Sequence, residues 1–132
     1  VEVGTGADGL LATGKDAVEG AYLGAAVSVD SMTPQQKALD EGVRKATGES
    51  VNAIQIGFYD AVWAIKAAME KAQSIDPAEV AKAMPTVRFK SFYGETGFGG
   101  KDVYGSDQQM RLPVIITKLV GTSLQEVGRV QK

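Results

Sequence analysis

The first residues whose types and spacing could do chemistry are the glycines near the start of the chain. Residues 4–9 form a G-x-G-x-x-G pattern after a strand-like Val-Glu-Val opening, and Asp30 follows about 20 residues later. In dinucleotide-binding proteins this pattern places a pyrophosphate at the N-terminus of the next helix. Here, however, Gly9 and Gly14 predict a loop and a poor helical turn, and no second βαβ unit follows. A glycine loop at the end of a strand is therefore favoured, and a dinucleotide-dependent enzyme fragment remains an alternative.

Acidic side chains in the second half of the chain invite a metal or acid–base interpretation. The spacing of Glu95, Asp102 and Asp107 matches no calcium-binding loop, so we expect them to be solvated loop residues. The chain has no cysteine and no histidine, which removes thiolate chemistry, the commonest general base and the commonest metal ligand. The sequence therefore predicts no metal site, no cofactor and no enzymatic activity.

The composition is that of an ordinary globular domain. The 132 residues are 44% hydrophobic and 23% charged, with a net charge of −2, which is enough apolar material for a core. The sequence has no basic stripe of the kind that binds nucleic acid, and no apolar run of the roughly 20 residues that span a bilayer. The opening residues lack the basic start and apolar run of a signal peptide, so we expect the chain to begin inside a longer one.

Two helices have clear start signals. The segment Thr33-Pro34-Gln35-Gln36 combines an N-cap, a proline at the first helical position and a capping-box glutamine. With Gly48 as a stop signal, it predicts a helix over about 34–47. The segment Asp76-Pro77-Ala78-Glu79 repeats the start signal, and Pro85 is expected to end the short helix that follows.

The central helix, predicted over 52–72, carries the strongest pattern. Apolar residues recur there at helical spacing, whereas Lys66, Glu70 and Lys71 lie off that stripe and Trp63 lies beside it. The stripe consists of Ile54, Phe58, Ala61, Val62, Ile65, Ala68, Met69 and Ala72. An apolar face this broad must pack against a large surface.

The remaining segments favour strands. Residues 21–29 are typical of a buried strand, and β-forming residues separated by glycines over 87–104 predict a loop-rich β region. Residues 113–120 and 124–130 predict a hairpin around a Gly121-Thr122 turn. This order of strands and helices places the chain in the α/β class.

Seven short segments form an ordered set along the chain. They are Val18-Glu19-Gly20-Ala21-Tyr22, Thr33-Pro34, Ile56-Gly57-Phe58-Tyr59-Asp60-Ala61-Val62, Ser74-Ile75-Asp76-Pro77-Ala78-Glu79-Val80, Phe92-Tyr93-Gly94-Glu95-Thr96-Gly97-Phe98, Tyr104-Gly105-Ser106-Asp107-Gln108-Gln109 and Pro113-Val114-Ile115-Ile116. In this order and spacing they resemble the C-terminal third of type I periplasmic (extracellular) solute-binding proteins of ABC transporters. The branch that looks most similar binds branched-chain amino acids and amides. No single motif is specific, but the set covers nearly the whole chain.

The resemblance implies a periplasmic binding protein-like I fold, an α/β architecture of two Rossmann-like lobes joined by three crossovers. Residues 1–30 would form part of the C-terminal lobe, and residues 31–105 would pack on the N-terminal lobe. Residues 106–132 would hold a hinge crossing and the terminal strands of the C-terminal lobe. The chain would then contain a whole copy of neither lobe. We therefore expect the isolated chain to misfold, to associate with itself or to accompany the missing N-terminal portion of the protein.

The resemblance also implies a function. Such a protein captures a small solute, here an amino acid, an amide or an aromatic acid, by closing two lobes around it. It then delivers the solute to the membrane permease of an ABC importer, from the periplasm or the extracellular space, and needs neither a cofactor nor nucleic acid. A ligand-sensing receptor or regulator of the same fold is the alternative, since a fold does not fix a function.

Six residues are expected to line the ligand cleft if the resemblance holds. Thr5 and Gly6 would contact the ligand by hydroxyl and backbone N–H groups. Ile54 would supply an apolar contact and Gln55 a polar one, with Tyr59 in the same segment, although core packing is the favoured interpretation of Ile54 and Phe58. Tyr22 would be an aromatic wall, with ordinary strand packing as the alternative. The solute itself is not implied, because the groups that usually anchor its carboxylate lie in the missing portion.

Overall fold

The structure is a computed structural model that describes residues 2–3, 7–28 and 31–130. In chain order its elements are β1 (Glu2–Val3), α1 (Ala7–Gly14), β2 (Tyr22–Ala25), α2 (Pro34–Thr47), α3 (Ala53–Ala72), α4 (Pro77–Ala83), β3 (Arg88–Ser91), β4 (Gly94–Gly99), α5 (Lys101–Tyr104), β5 (Gln109–Met110), β6 (Val114–Val120) and β7 (Ser123–Val130). They form two compact units. One contains the chain up to Ala53 and again from Pro113, and the other is Ile54–Leu112.

The first unit is built on a four-stranded sheet in the order β1-β2-β6-β7. Strands β1 and β2 are parallel, with Val3 opposite Gly24, and the other neighbours are antiparallel. The helix α1 lies between β1 and β2 in the chain, so this part is one strand–helix–strand crossover unit of the Rossmann type. Leu23, Ile115 and Leu119 are the largest apolar side chains fully buried in this sheet.

The α1 helix corrects the expectation of a poor helical turn. Gly9 and Gly14 lie inside an eight-residue helix, and a 3-10 turn over Lys15–Val18 continues it. A methyl group at Gly14 would collide with the side chain of Val18. A larger residue at this position would therefore require the Val18 side chain to move.

The hairpin β6–β7 is confirmed, but β2 is shorter than the predicted strand over 21–29. The last pair of β2 with β6 joins Ala25 to Ile115. Residues 29–30 lie outside the described part of the chain. In the hairpin, Gly121 has a φ of +60°, which the first position of a tight two-residue turn requires.

The two predicted helix starts are confirmed in detail. The Thr33 side chain accepts the Gln36 N–H, and the Gln36 side chain accepts the Thr33 N–H in return. The helix α2 ends at Gly48, whose φ is +83°. At α4, the Asp76 side chain accepts the N–H groups of Ala78 and Glu79.

The second unit has its core between α3, α4 and the β3–β4 hairpin. Ala64 and Ala68 of α3 pack in one cluster with Val80, Val87 and Phe89. The three-stranded sheet β3-β4-β5 is antiparallel throughout. The expectation of β structure through Val103 and Tyr104 is wrong, since these residues form the short helix α5. Left-handed Gly100 and Gly105 bracket that turn, so backbone geometry overrides the β preference of the side chains.

Candidate ligand-binding site

The predicted contacts Thr5 and Gly6 lie outside the described residues. In the sequence they lie between the end of β1 at Val3 and the start of α1 at Ala7. The carboxyl ends of parallel strands point to one edge of a sheet, and open α/β sheets bind ligands at that edge. The chain leaves β2 at the same edge and continues to Ser28. The Ser28 hydroxyl is buried and has no hydrogen-bond partner among the described residues. The sequence pattern did not single out Ser28.

Tyr22 lies at the opposite, amino end of β2. It is the pairing partner of Lys118 on β6, and the Lys118 Nζ stands 5.8 Å from the centre of the Tyr22 ring. Tyr22 is 53% exposed. The structure thus places Tyr22 on a sheet face beside a cation and does not bring it to the carboxyl edge that precedes residues 4–6.

The other three predicted residues share the first two turns of α3. Ile54 is 71% exposed, and Gln55 and Tyr59 are half-buried. Gln55 and Tyr59 are four residues apart, so they occupy neighbouring positions on one side of the helix. The Tyr59 ring meets the Trp63 ring edge-on, with 6.2 Å between centroids. A polar amide beside two aromatic rings, with an exposed isoleucine adjacent, can hold a small solute by apolar contact and one or two hydrogen bonds.

Asp40 on α2 binds the segment that follows this helix. One carboxylate oxygen of Asp40 accepts the backbone N–H of Val51 at 2.8 Å, and the other accepts the Arg44 Nε–H at 2.8 Å. The Arg44 guanidinium also donates to the Ser50 hydroxyl. The hydrogen bond that Arg44 donates to Asp40, together with that from the Val51 N–H, lowers the pKa of Asp40, although burial of the carboxylate opposes this shift.

A second carboxylate, Asp60, is fully buried on α3. Its Oδ1 accepts the Phe92 N–H at 2.6 Å, while its Oδ2 has no partner among the described residues. No ion pair to Asp60 is found among those residues. Burial raises the pKa of Asp60, and the Phe92 N–H counteracts this in part. Asp60 thereby fixes the turn between β3 and β4, where the Phe92 and Tyr93 rings meet edge-on at 5.2 Å.

Two acidic residues of the loop region, Glu95 and Asp107, make separate local contacts. Glu95 pairs with Arg88 at 2.7 Å, and Asp107 accepts the Lys101 N–H at 3.3 Å. The described part of the chain contains no cluster of acidic residues that could hold a metal ion. Within that part, no helix is both long and apolar enough to traverse a membrane.

Asp40 and Asp60 are two further polar residues that sequence reasoning missed. Both are acids at helical positions that the fold buries, and each accepts a backbone N–H from a later segment. A signal existed for Asp60, because it is spaced four residues from both Ile56 and Ala64, and all three are buried. An acid that continues an inward-facing series indicates a buried hydrogen bond.

Comparison with known proteins identifies the family. The family model described as periplasmic binding protein matches residues 1–123, so the chain belongs to the periplasmic binding protein family. No curated protein matches the sequence significantly.

Solved structures support the same fold. An amino-acid ABC transporter substrate-binding protein from Pseudomonas fluorescens superposes with a TM-score of 0.75 at 20% identity, over 98% of this chain and 36% of its own. A leucine-binding protein from Thermotoga maritima gives 0.72 at 20% identity, over 92% and 34%. A solute-binding protein of an ABC transporter from Rhodopseudomonas palustris, in complex with benzoate, gives 0.67 at 18% identity, over 92% and 32%. The chain therefore has the type I periplasmic binding protein fold and spans about a third of the length of these structures, which are described as binding proteins.

Proposed function

We propose that this chain is the C-terminal portion of a solute-binding protein that serves an ABC importer. The observation that carries the proposal is the family match over residues 1–123. The protein would close two lobes around a small solute and present the closed form to a membrane permease, outside the cytoplasmic membrane. Closure needs only that the solute binds the closed form better than the open one, so no covalent chemistry is required.

The solute that we propose is an amino acid, an amide or an aromatic acid. Two of the similar structures are described as binding leucine or benzoate, and Gln55, Tyr59 and Trp63 offer an amide beside aromatic rings for either type of ligand. Ile54 would add an apolar wall from the first turn of α3. Thr5 and Gly6 remain proposed contacts on the strength of their position after β1.

The exposed side of α3 supports the proposal of a missing portion. Ile54, Phe58 and Val62 are between 64% and 71% exposed, and Ile65 and Met69 are also exposed on the same stripe. Soluble proteins rarely leave such a row of large apolar side chains in water. We propose that the N-terminal portion of the protein, which the similar structures contain beyond the matched third, covers this stripe. Residues 31–105 would then pack on the N-terminal lobe, and residues 1–30 and 106–132 would belong to the C-terminal lobe.

The crossings that we propose as hinges lie at residues 28–31 and 105–113. The first crossing is tied to the terminal strand, since the Ser31 hydroxyl donates to Glu126 on β7. Arg129 binds the same carboxylate through two hydrogen bonds of 3.0 Å and is the main cause of the lowered pKa of Glu126. A fixed anchor next to a crossing segment confines bending to the few residues beyond it.

Two experiments on the protein as its gene encodes it test the proposed function. The first is native mass spectrometry, and the second is calorimetric titration with L-leucine, benzoate and NAD. We expect a retained or added small acid at one copy per chain, and no binding of NAD. Binding of NAD without any acid would contradict the proposal and support the dinucleotide alternative. An output domain fused in the same gene would favour a sensor instead. A chain of residues 1–132 alone should not sediment as a cooperatively folded monomer.

A further inference from the structure

The sheet β3-β4-β5 in the second unit has one apolar face and one charged face. The apolar face packs in the core of this unit through Phe89 and Phe98. Side chains alternate along a strand, and directly paired residues share a side of the sheet. Arg88, Lys90 and Glu95 therefore belong to the opposite face, and all three are exposed.

Arg111 joins this charged face from the segment that follows β5. Its N–H donates to the Gly97 carbonyl at 3.0 Å, and its own carbonyl accepts the Thr96 hydroxyl at 2.6 Å. Its side chain lies across Gly99, where an added methyl group would stand 2.7 Å from the Arg111 Cζ and closer still to Nε. The backbone of Arg111 is therefore fixed at two points, and the missing side chain at Gly99 makes room for the guanidinium.

The charges on this face are not balanced. Arg88 is paired with Glu95 at 2.7 Å, whereas Arg111 and Lys90 have no ion pair in the part of the chain that the structure describes. A guanidinium presents its donors in a planar fork that matches a carboxylate. Since lying across Gly99 restricts the Arg111 side chain, less conformational entropy is lost when the fork binds. Arg111 is thus suited to bind a carboxylate from outside this unit.

The shape and charge of the face favour a protein surface as the source of that carboxylate. Small solutes are bound in concave sites that cover most of their surface, whereas Arg88, Lys90 and Arg111 are exposed on the outside of a sheet. Attraction to an anionic membrane takes clusters of about four to eight Lys or Arg residues. Here Glu95 neutralises Arg88, which leaves Lys90 and Arg111 as the unpaired cations of the face.

We propose that the charged face of β3-β4-β5 is a docking surface for an acidic surface of the importer's permease, and that Arg111, laid across Gly99, binds an Asp or Glu side chain there. The inference rests on the proposed function, because it takes the permease as the protein partner. Arg111 does not touch the solute. A forked pair of hydrogen bonds to a carboxylate is strong and directional, so it both adds affinity and fixes the orientation of docking.

Three substitutions test the geometry as well as the charge. Arg111→Ala removes the guanidinium, and Arg111→Lys keeps the charge without the fork. Gly99→Ala keeps Arg111 but displaces its guanidinium. The fold can accept this change, because Gly99 has no positive φ and the atoms in the way are the end of a flexible side chain. Gly42→Ala, with no atom within 4 Å of the added methyl group, and Lys37→Ala, exposed on α2, are the matched controls.

The partner in the test is the permease–ATPase complex of the importer, reconstituted in phosphatidylcholine vesicles. The readout is the concentration of the full protein, loaded with whichever of L-leucine or benzoate it binds, that half-maximally stimulates ATP hydrolysis. We expect Arg111→Ala and Gly99→Ala to raise this concentration about tenfold, Arg111→Lys about threefold and the controls less than about twofold. The calorimetric affinity for the solute and the free energy of unfolding should be unchanged in the Arg111 and Gly99 variants.

The outcomes distinguish this inference from the function on which it rests. If the unaltered protein stimulates the complex and either Arg111→Ala or Gly99→Ala does so equally well, the docking role is overturned and the function stands. A weaker solute affinity or a lower stability of these variants would also overturn it, because the face would then serve the solute or pack inside the protein.

A membrane partner is tested with phosphatidylglycerol vesicles that lack the complex. Binding of the unaltered protein to them that Arg111→Ala abolishes would identify lipid phosphate as the partner and overturn the proposal. If the unaltered protein binds neither solute, or does not stimulate the complex, the proposed function fails and this inference fails with it.

Discussion

The two sides of α3 differ in a way that is unusual for a surface helix. The buried side carries Ile56 near its start and then smaller residues and one acid, with Ala64, Ala68 and Asp60 all at most 1% exposed. The other side carries large apolar residues, and Ile54 and Phe58 are 71% exposed. Amphipathic helices normally bury the large apolar residues and expose the small or polar ones. Apart from Ile56, which is buried, α3 shows the opposite arrangement with respect to the residues that the structure describes.

The difference between the two sides of α3 indicates what kind of surface each side packs against. Alanines let α3 approach Val80, Val87 and Phe89 closely, which suits a tight contact within the unit. The large apolar residues on the exposed side of α3 suit contact with a second, wider surface. A helix that is apolar on both sides is a buried helix, so we infer that α3 lies inside the complete protein, between the second unit and the portion proposed to be missing.

The largest expected effect comes from the exposed side. Phe58→Ala in the full protein should lower the free energy of unfolding by about 3–5 kcal/mol, the loss typical of removing a buried phenylalanine. Lys66→Ala, also on α3 but in solvent, should change it by less than about 0.5 kcal/mol. Chemical denaturation monitored by the single tryptophan, Trp63, measures both. A loss of less than about 1 kcal/mol for Phe58→Ala would show that the stripe stays in water.

The second effect tests the tight side. Ala68→Leu adds three carbon atoms where the structure has no room, and overpacking of this kind costs about 1–3 kcal/mol. Ala81→Leu, at an exposed position of α4, makes the same change without a packed neighbour and serves as the matched control. Thermal unfolding followed by circular dichroism compares the two variants. A stability for Ala68→Leu equal to that of the control would contradict the close packing of α3.

The third effect concerns the acid on the tight side. Asp60→Ala leaves the Phe92 N–H buried without its acceptor, which costs about 1–3 kcal/mol. Hydrogen exchange at the Phe92 amide should accelerate more than exchange at other amides of β3 and β4. Glu70→Ala, on the exposed part of α3, is the control. Unchanged protection of the Phe92 amide in Asp60→Ala would rule out this hydrogen bond.

Local signals account for what could be predicted from the sequence. The bounds of α2 follow from Thr33, Gln36 and Gly48, whose hydrogen bonds involve residues within one turn of the helix. The hairpin turn at Gly121 is equally local. These features depend on neighbours in the chain, so a sequence pattern contains nearly all of the information.

Tertiary contacts account for what could not be predicted. The acceptor role of Asp60 depends on Phe92, which lies 32 residues away, and that of Asp40 on Val51, 11 residues away. A β-forming pair, Val103 and Tyr104, became helical because of the two glycines around it. The stripe on α3 was read correctly as broad, but only the structure separates the alanines that pack within the unit from the large residues that do not. The ligand contacts remain predictions, since Thr5 and Gly6 lie outside the described residues.

The smallest expected effect is a dependence of stability on pH that Asp60 alone should cause. Burial raises the pKa of Asp60 in the folded protein, so folding favours the protonated acid. The contribution of Asp60 to the free energy of unfolding is complete below its pKa in the unfolded chain, near 4. This contribution is lost as the pH rises through the pKa of Asp60 in the folded protein. Asp60→Asn cannot titrate, so the stability of the unaltered protein relative to this variant should fall as the pH rises above about 4, by at most about 1.4 kcal/mol per pH unit. Urea denaturation at a series of pH values measures the difference. A difference that is flat, or that grows with pH, would contradict a raised pKa of Asp60 in the folded protein.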